Sequence, residues 1–307
     1  MGIIEPKCFA GEQPGTRLIV LGAVHGNETC GTRAIERVTA ELAGGQLRIV
    51  RGRATFVPVT NRLAYQRGTR GGDRNLNRHL APTAAPADNE DRIANALCPL
   101  LADHDVLLDL HSFRSAGSPF VMVGPEDNAG DLQPFSQAAR ERALALRLGV
   151  ARALDGWLDT YAAGAARRGG SAAYGVGTTE YMRAAGGCAL TLECGQHEDP
   201  QAPQVAYRAI LRTLAHLRLI DAPDPPPAAR MEGLRLREVV DRAHPDDRFE
   251  RAWTSFDPVR RGQRIGVRHD GAAVLAPFDG AVVFPDATAA PGAEWFYCAQ
   301  PHPRLSR

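Results

Sequence analysis

Lysine is almost missing from this 307-residue chain: Lys7 is the only one, and the other 35 basic residues are arginines. Any mechanism that needs a lysine nucleophile must therefore use Lys7 or none. Codon usage in a GC-rich genome accounts for the bias, as the abundance of Ala and Gly suggests. An excess of one charge is lacking too. The 36 basic and 35 acidic residues leave a formal net charge of +1, which argues against nucleic acid or an anionic membrane as partner and leaves a small molecule. No apolar run approaches the ~18 residues of a spanning helix, and no basic segment leads into a hydrophobic stretch at the N-terminus, so the expected location is the cytoplasm. CxxC pairs are absent as well. The six cysteines (Cys8, Cys30, Cys98, Cys188, Cys194 and Cys298) are scattered, which argues against a disulfide framework or a thiolate zinc site and for buried thiols.

What is present points to α/β organisation. Short apolar runs rich in β-formers predict strands at Arg17–Val24, Ala54–Val59, Asp105–Leu110, Pro119–Val123 and Cys188–Glu193. Between them, apolar residues at three- and four-residue spacing predict helices at Thr29–Leu42, Asn89–Ala102, Pro134–Leu148 and Pro203–Leu217. Four prolines fall within residues 223–227, so a Pro-rich linker is expected over 221–230, with one domain before it (1–220) and another after it (231–307). Beyond the linker, "QRIGV", "AAVLAPF", "GAVVF" and "EWFYCA" predict a small all-β unit.

Four short stretches carry chemistry. "HGNE" places His25 and Glu28 where a strand turns into a helix, with Gly26 relieving the crowding and Asn27 or Thr29 able to cap that helix. A nitrogen and oxygen zinc site needs a third ligand and an open position. His111, at the end of the apolar run "VLLDLHSF", is the candidate, with Asp109 on the same strand face to orient a ligand. Glu193 in "TLECGQH" follows another apolar strand, where a carboxylate beside a cation suits general acid/base work. Arg70, Arg74, Arg78 and Arg183 stand near glycine-rich turns, and the arginine fork suits an anionic substrate. Taken singly, these residues equally suit a polar turn, a strand-end histidine, a salt-bridged glutamate and solvated arginines.

In order, HGNE (25 to 28), TRGGDRNLNR (69 to 78), DLHS (109 to 112) and TLECGQH (191 to 197) resemble the succinylglutamate desuccinylase and aspartoacylase family of zinc hydrolases, relatives of the zinc carboxypeptidases. The resemblance covers residues 17 to 220. It continues in "RRGQRIGV" and "VLAPFDGAVVFP", which look like the family's lipoyl-like β-domain. It implies a mixed sheet flanked by helices, with one zinc ion per chain held by His25, Glu28 and His111. It also implies Glu193 as general base and later acid, Arg70 polarising the scissile carbonyl, Asn77 and Arg78 holding substrate, and Arg183 taking a substrate carboxylate. Two departures accompany it. The family's Asp-Leu-Asn-Arg is Asn75-Leu76-Asn77-Arg78 here, without the negative charge, and the tyrosine expected four residues before Arg183 is Thr179, with Tyr181 nearby. A C-terminal family tyrosine aligns loosely with Tyr297.

The implied reaction is hydrolysis of the amide of a small anionic N-acyl amino acid or related carboxylate. The alternatives are a zinc carboxypeptidase acting on peptides and a non-catalytic metal-dependent binding protein. A lipoyl-type carrier is excluded, because no lysine comes after Lys7. A homo-oligomer is left open.

Overall fold

The computed structural model describes residues 2–131 and 133–306; Met1, Leu132 and Arg307 lie outside the described residues. The strands are β1 (Lys7–Ala10), β2 (Gln13–Leu21), β3 (Arg51–Val57), β4 (Val106–Phe113), β5 (Phe120–Met122), β6 (Arg152–Asp155), β7 (Cys188–Gln196), β8 (Glu232–Asp241), β9 (Arg248–Phe249), β10 (Pro258–Val259), β11 (Arg264–Val267), β12 (Ala273–Leu275), β13 (Gly280–Val283) and β14 (Glu294–Pro301). The helices are α1 (Cys30–Ala43), α2 (Arg62–Arg67), α3 (Asn89–Ala102), α4 (Ala138–Ala145), α5 (Trp157–Arg167), α6 (Thr178–Ala184) and α7 (Ala202–His216).

Eleven strands form one mixed sheet in the order β1-β3-β2-β4-β7-β5-β6-β8-β14-β13-β10, with β2, β3, β4 and β7 parallel at its heart. Period-two alternation sorts each central strand between two helix layers. On β2, Leu18 and Val20 face the layer of α1 and α7, whereas Ile19 and Leu21 face that of α3 and α6. On β4, Val106, Leu108 and Leu110 join the first layer and Leu107 the second. Asp109 and His111 therefore share the second face with Leu107. The same phase on β7 sends Leu190 and Leu192 one way and Ala189 the other, so Thr191 and Glu193 follow Ala189. β4 is buried along its whole length, so this polar pair sits in a strand shielded on both faces.

Most predicted elements are present with shifted ends. β4 and β7 run on through His111 and Glu193, and β2 stops at Leu21, three residues early, because the chain leaves the sheet into the HGNE loop. The helix predicted over 134–148 starts at Ala138, since Phe135 pairs its backbone with Asn128. Five of the six cysteines are buried as expected; Cys8 is exposed on the edge strand β1. No described helix is long and apolar enough to cross a membrane.

The segment after α7 is irregular through residue 230, as its prolines require, and Asp224 pins it to His216 and Arg147. The strands beyond it fold as expected but continue the large mixed sheet. β8 adds in parallel to β6, and β14, β13 and β10 follow antiparallel. Among the described residues only β9, β11 and β12 form a separate three-stranded sheet, closed over a small core around Trp295, Phe296 and Ile265. The physical reason is the open hydrogen-bonding edge of β6, which β8 covers.

Candidate active site

Loop 22–29 leaves β2 and carries His25 and Glu28. Gly26 is required there by close approach: a Cβ would lie 2.0 Å from the carbonyl carbon of Ala64 in α2 and 2.2 Å from its oxygen. The Glu28 N–H donates to the His25 carbonyl (3.1 Å), a tight turn that brings the two side chains together. Thr29 is the N-cap of α1 but makes no side-chain capping bond.

His25, Glu28 and His111 converge, with one ligand atom from each lying within 4.8 Å of the others. Glu28 is the hub. Its Oε1 lies 2.9 Å from His25 Nδ1 and accepts from Arg70 Nη1 at 2.9 Å; its Oε2 accepts from His111 Nδ1 at 2.8 Å and from the Ser112 N–H at 3.1 Å. Asn75 Oδ1 lies 3.0 Å from His25 Nε2. Asp109 Oδ2 lies 3.0 Å from His111 Nε2, outside the angular range of a hydrogen bond. All three residues of the trio are buried.

Burial, followed by the positive charge of Arg70, lowers His25 to about 4, so it is neutral at pH 7 with one proton to give. Asn75 Oδ1 also accepts from the Asn77 N–H (2.9 Å), which fixes the amide's orientation and assigns that proton to Nε2. His25 Nδ1 thus turns a lone pair toward the Glu28 carboxylate, two electron-rich donors facing each other. Burial alone would raise Glu28, but the adjacent His25 and His111 outweigh it and hold the carboxylate well below its usual range. His111 moves the other way. Burial opposes its charge, yet Asp109 and Glu28 overcome that and raise it well above its ordinary value. Two imidazole nitrogens and a carboxylate make a donor set that fits a divalent transition metal, with loading linked to loss of the His111 proton.

Glu193 is the neighbour of this trio. It is the register partner of His111 across the β4–β7 ladder, on the same face. Burial raises its carboxyl to about 8 against the opposing pull of His111, and its Oε2 has no hydrogen-bond partner among the described residues. The trio and Glu193 line one cavity of about 640 Å³.

The other expected residues divide into two groups. Arg70, Asn77 and Arg78 line the cavity. Asn77 Oδ1 accepts from the Thr178 N–H (2.8 Å) at the start of α6. The buried Arg78 donates from Nη1 to the Asn77 carbonyl and packs its guanidinium carbon 4.7 Å from the Tyr161 ring and 5.2 Å from Trp157. Arg183, by contrast, reaches the cavity wall but is engaged from within. Its Nε and Nη2 donate to Glu141 (3.0 and 3.3 Å), Nη2 also donates to the Ala189 carbonyl (2.7 Å), and Nη1 lies 3.5 Å from Glu180. Glu141 is buried in turn and also takes the backbone N–H groups of Gly124 and Ala189. Arg74 is likewise structural, paired with Asp88 and Asp91 at 2.8 Å each.

Tyr297 lines the cavity, 5.4 Å from the Trp157 ring, and burial pushes its phenol well above the usual value. Tyr181 instead packs against the core beneath α3. Four further cavity residues have no assigned role in the sequence motifs. Trp157 and Tyr161 are one turn apart on α5, a spacing visible in the sequence but with no motif to give it meaning. His197, bonded through Nδ1 to Ser112 Oγ (2.8 Å), lies inside "TLECGQH". Asn75 stands out in the sequence only as a missing charge.

The model of the succinylglutamate desuccinylase/aspartoacylase catalytic domain matches residues 14–218. The chain belongs to that family. The matched span holds His25, Glu28, His111 and Glu193, while Tyr297 lies outside it. Solved structures of this desuccinylase/aspartoacylase type share the fold over nearly the whole chain. A succinylglutamate desuccinylase/aspartoacylase from Rhodobacter sphaeroides superimposes with a TM-score of 0.76 at 21% identity, covering 97% of this chain and 89% of that one. The product-bound ectoine utilization protein EutE (DoeB) from Ruegeria pomeroyi gives 0.74 at 17% identity, covering 97% and 89%. The succinylglutamate desuccinylase from Vibrio cholerae gives 0.69 at 20%, covering 95% and 82%. No curated protein matches the sequence.

Proposed function

We propose that this chain is a zinc-dependent hydrolase cleaving the amide bond of a small N-acyl amino acid or related carboxylate. The observation that carries this is Glu193: a buried carboxyl, raised to about 8 and with one oxygen unpartnered, in the same cavity as a His-Glu-His trio. Leaving a buried carboxyl oxygen unpaired costs stability that a purely structural residue has no reason to bear.

His25, Glu28 and His111 are the residues that would hold zinc, which when bound supplies Lewis acidity and an acidified water. Glu193 takes the proton of the attacking water and returns it to the leaving amine. A carboxyl titrating near neutrality suits both steps. Arg70 offers guanidinium N–H groups to the acyl oxygen as its negative charge develops, a donor worth about 3 to 4 kcal/mol in comparable sites. Arg78 holds the carboxylate, steadied between two aromatic rings, and the Asn77 amide nitrogen supports it.

The size of the substrate is set by the second wall of the cavity, which β13, β14 and the segment between them supply through Phe284, Asp286, Ala290, Glu294 and Tyr297. A site walled on that side favours a small ligand over a polypeptide. A metal-dependent binding protein has no use for Glu193 in this state.

The test is metal analysis followed by a panel of N-acetyl, N-succinyl and N-formyl amino acids scored for free amine. About one zinc per chain is expected, with hydrolysis that stops on chelation and returns with zinc. A zinc-loaded chain that releases amine from none of them sinks the proposal, and release of C-terminal residues from peptides alone would favour the carboxypeptidase.

A further inference from the structure

Resting on that reading of the site, we infer that the substrate carries a single carboxylate, held by Arg78, and that dicarboxylic N-acyl amino acids are disfavoured. The deciding property is which cations are free. Among the described residues five arginines line the cavity: Arg70, Arg78, Arg114, Arg168 and Arg183. Four already have acidic partners. Arg70 sits on Glu28 at 2.9 Å, and in the proposed reaction it serves the acyl oxygen. Arg114 lies 3.7 Å from Asp286, Arg168 contacts Asp241 and Glu294 at 2.6 and 3.4 Å, and Arg183 is bound by Glu141 and faces Glu180. Among the described residues Arg78 alone of the five has no carboxylate within ion-pair distance. Its one hydrogen bond, to the Asn77 carbonyl, leaves most of its five N–H groups for a bidentate carboxylate.

The resemblance gives Arg183 to a substrate carboxylate, and here the protein supplies a carboxylate itself. Glu141 is 1% exposed and Arg183 5%, and Glu141 is held by two backbone N–H groups besides the arginine. A substrate acid cannot displace it without leaving a charge buried and unpaired, a strongly unfavourable change. Glu180, Asp286 and Glu294 also line the cavity, each already within ion-pair distance of one of these arginines, so the wall offers a second carboxylate no surplus positive charge.

The experiment separates binding from turnover by using isosteric pairs, N-acetylglutamine against N-acetylglutamate and N-acetylasparagine against N-acetylaspartate. Calorimetry on zinc-loaded Glu193→Gln should show the amide member of each pair bound at least about tenfold more tightly, with Arg78→Met in that background removing measurable binding of both. Equal or tighter binding of the acid members, or absence of binding by all four, overturns the inference. Glu141→Gln, which removes the counter-charge of Arg183, should shrink the preference; a folded variant that keeps it in full would overturn the role given to Glu141. Turnover of the same four by the unsubstituted chain is read separately. Binding without hydrolysis would defeat the hydrolase proposal and leave the single-carboxylate site standing.

Discussion

Asn75 shows how one atom can be kept while a charge is dropped. The family pattern has an aspartate there, and the sequence alone registers only the missing negative charge. In the fold the asparagine oxygen still faces His25 Nε2 at 3.0 Å, so orientation survives without the anion. His111 has a true carboxylate, Asp109, in the corresponding place. Groups behind a ligand tune affinity by about 10- to 100-fold. Asn75→Ala is therefore expected to weaken zinc binding by that factor in a chelator competition, and Asn75→Asp to strengthen it. Glu193→Gln is expected to lower kcat by roughly a hundredfold to ten thousandfold while zinc content is unchanged; near-normal kcat in that variant would remove Glu193 from the chemistry. At this scale the trio and Glu193 are legible in the sequence, because each sits in a short motif at a strand end. The engagement of Arg183 is not, because the buried Glu141 that pairs with it lies 42 residues away and bears no motif.

At the scale of elements, the central strands are legible because burial on both faces leaves uninterrupted apolar runs such as "VLLDL". Helices α5 and α6 are not, because "WLDTYAAGAAR" and "TTEYMRA" are short, rich in alanine and threonine, and flanked by glycines. They nonetheless carry Trp157, Tyr161 and Arg183. The HGNE loop depends on α2, an element that no local pattern would place beside it. Gly26→Ala is expected to cost at least about 1 to 3 kcal/mol, because backbone rather than a flexible side chain must move. The same shift should lower zinc affinity, so thermal unfolding and metal titration of this one variant should both report it.

For the whole molecule, the linker is visible in its prolines, but the joining of both parts into one sheet is not, since strand-to-strand pairing over long separations leaves no local pattern. Truncation after residue 230 is expected to give an aggregating fragment, because it strips β8 from β6 and exposes a bare edge; a soluble monomer on gel filtration would contradict this. Acid stability should depend on Asp247 in the loop between β8 and β9. This carboxylate is depressed below its usual range. Burial opposes its charge but is outweighed by the Arg268 guanidinium and the N–H groups of Ala243, His269 and His244. Because the folded value lies below the unfolded one, its contribution is complete above about pH 4 and fades as the pH falls further. Asp247→Asn is expected to cost roughly 2 to 3 kcal/mol at pH 7 and to flatten the fall in melting temperature below about pH 4.

The β6–β8 ladder also governs how far the site can open. Because the strands that bear Tyr297 and lead into Phe284 are hydrogen-bonded in succession to those that bear His111 and Glu193, the two sides of the catalytic hollow cannot swing apart like the halves of a hinged shell. Opening them would mean unzipping a continuous ladder. The strand-borne walls therefore act as a fixed gauge: between them a molecule is accepted or refused by its own dimensions and charge.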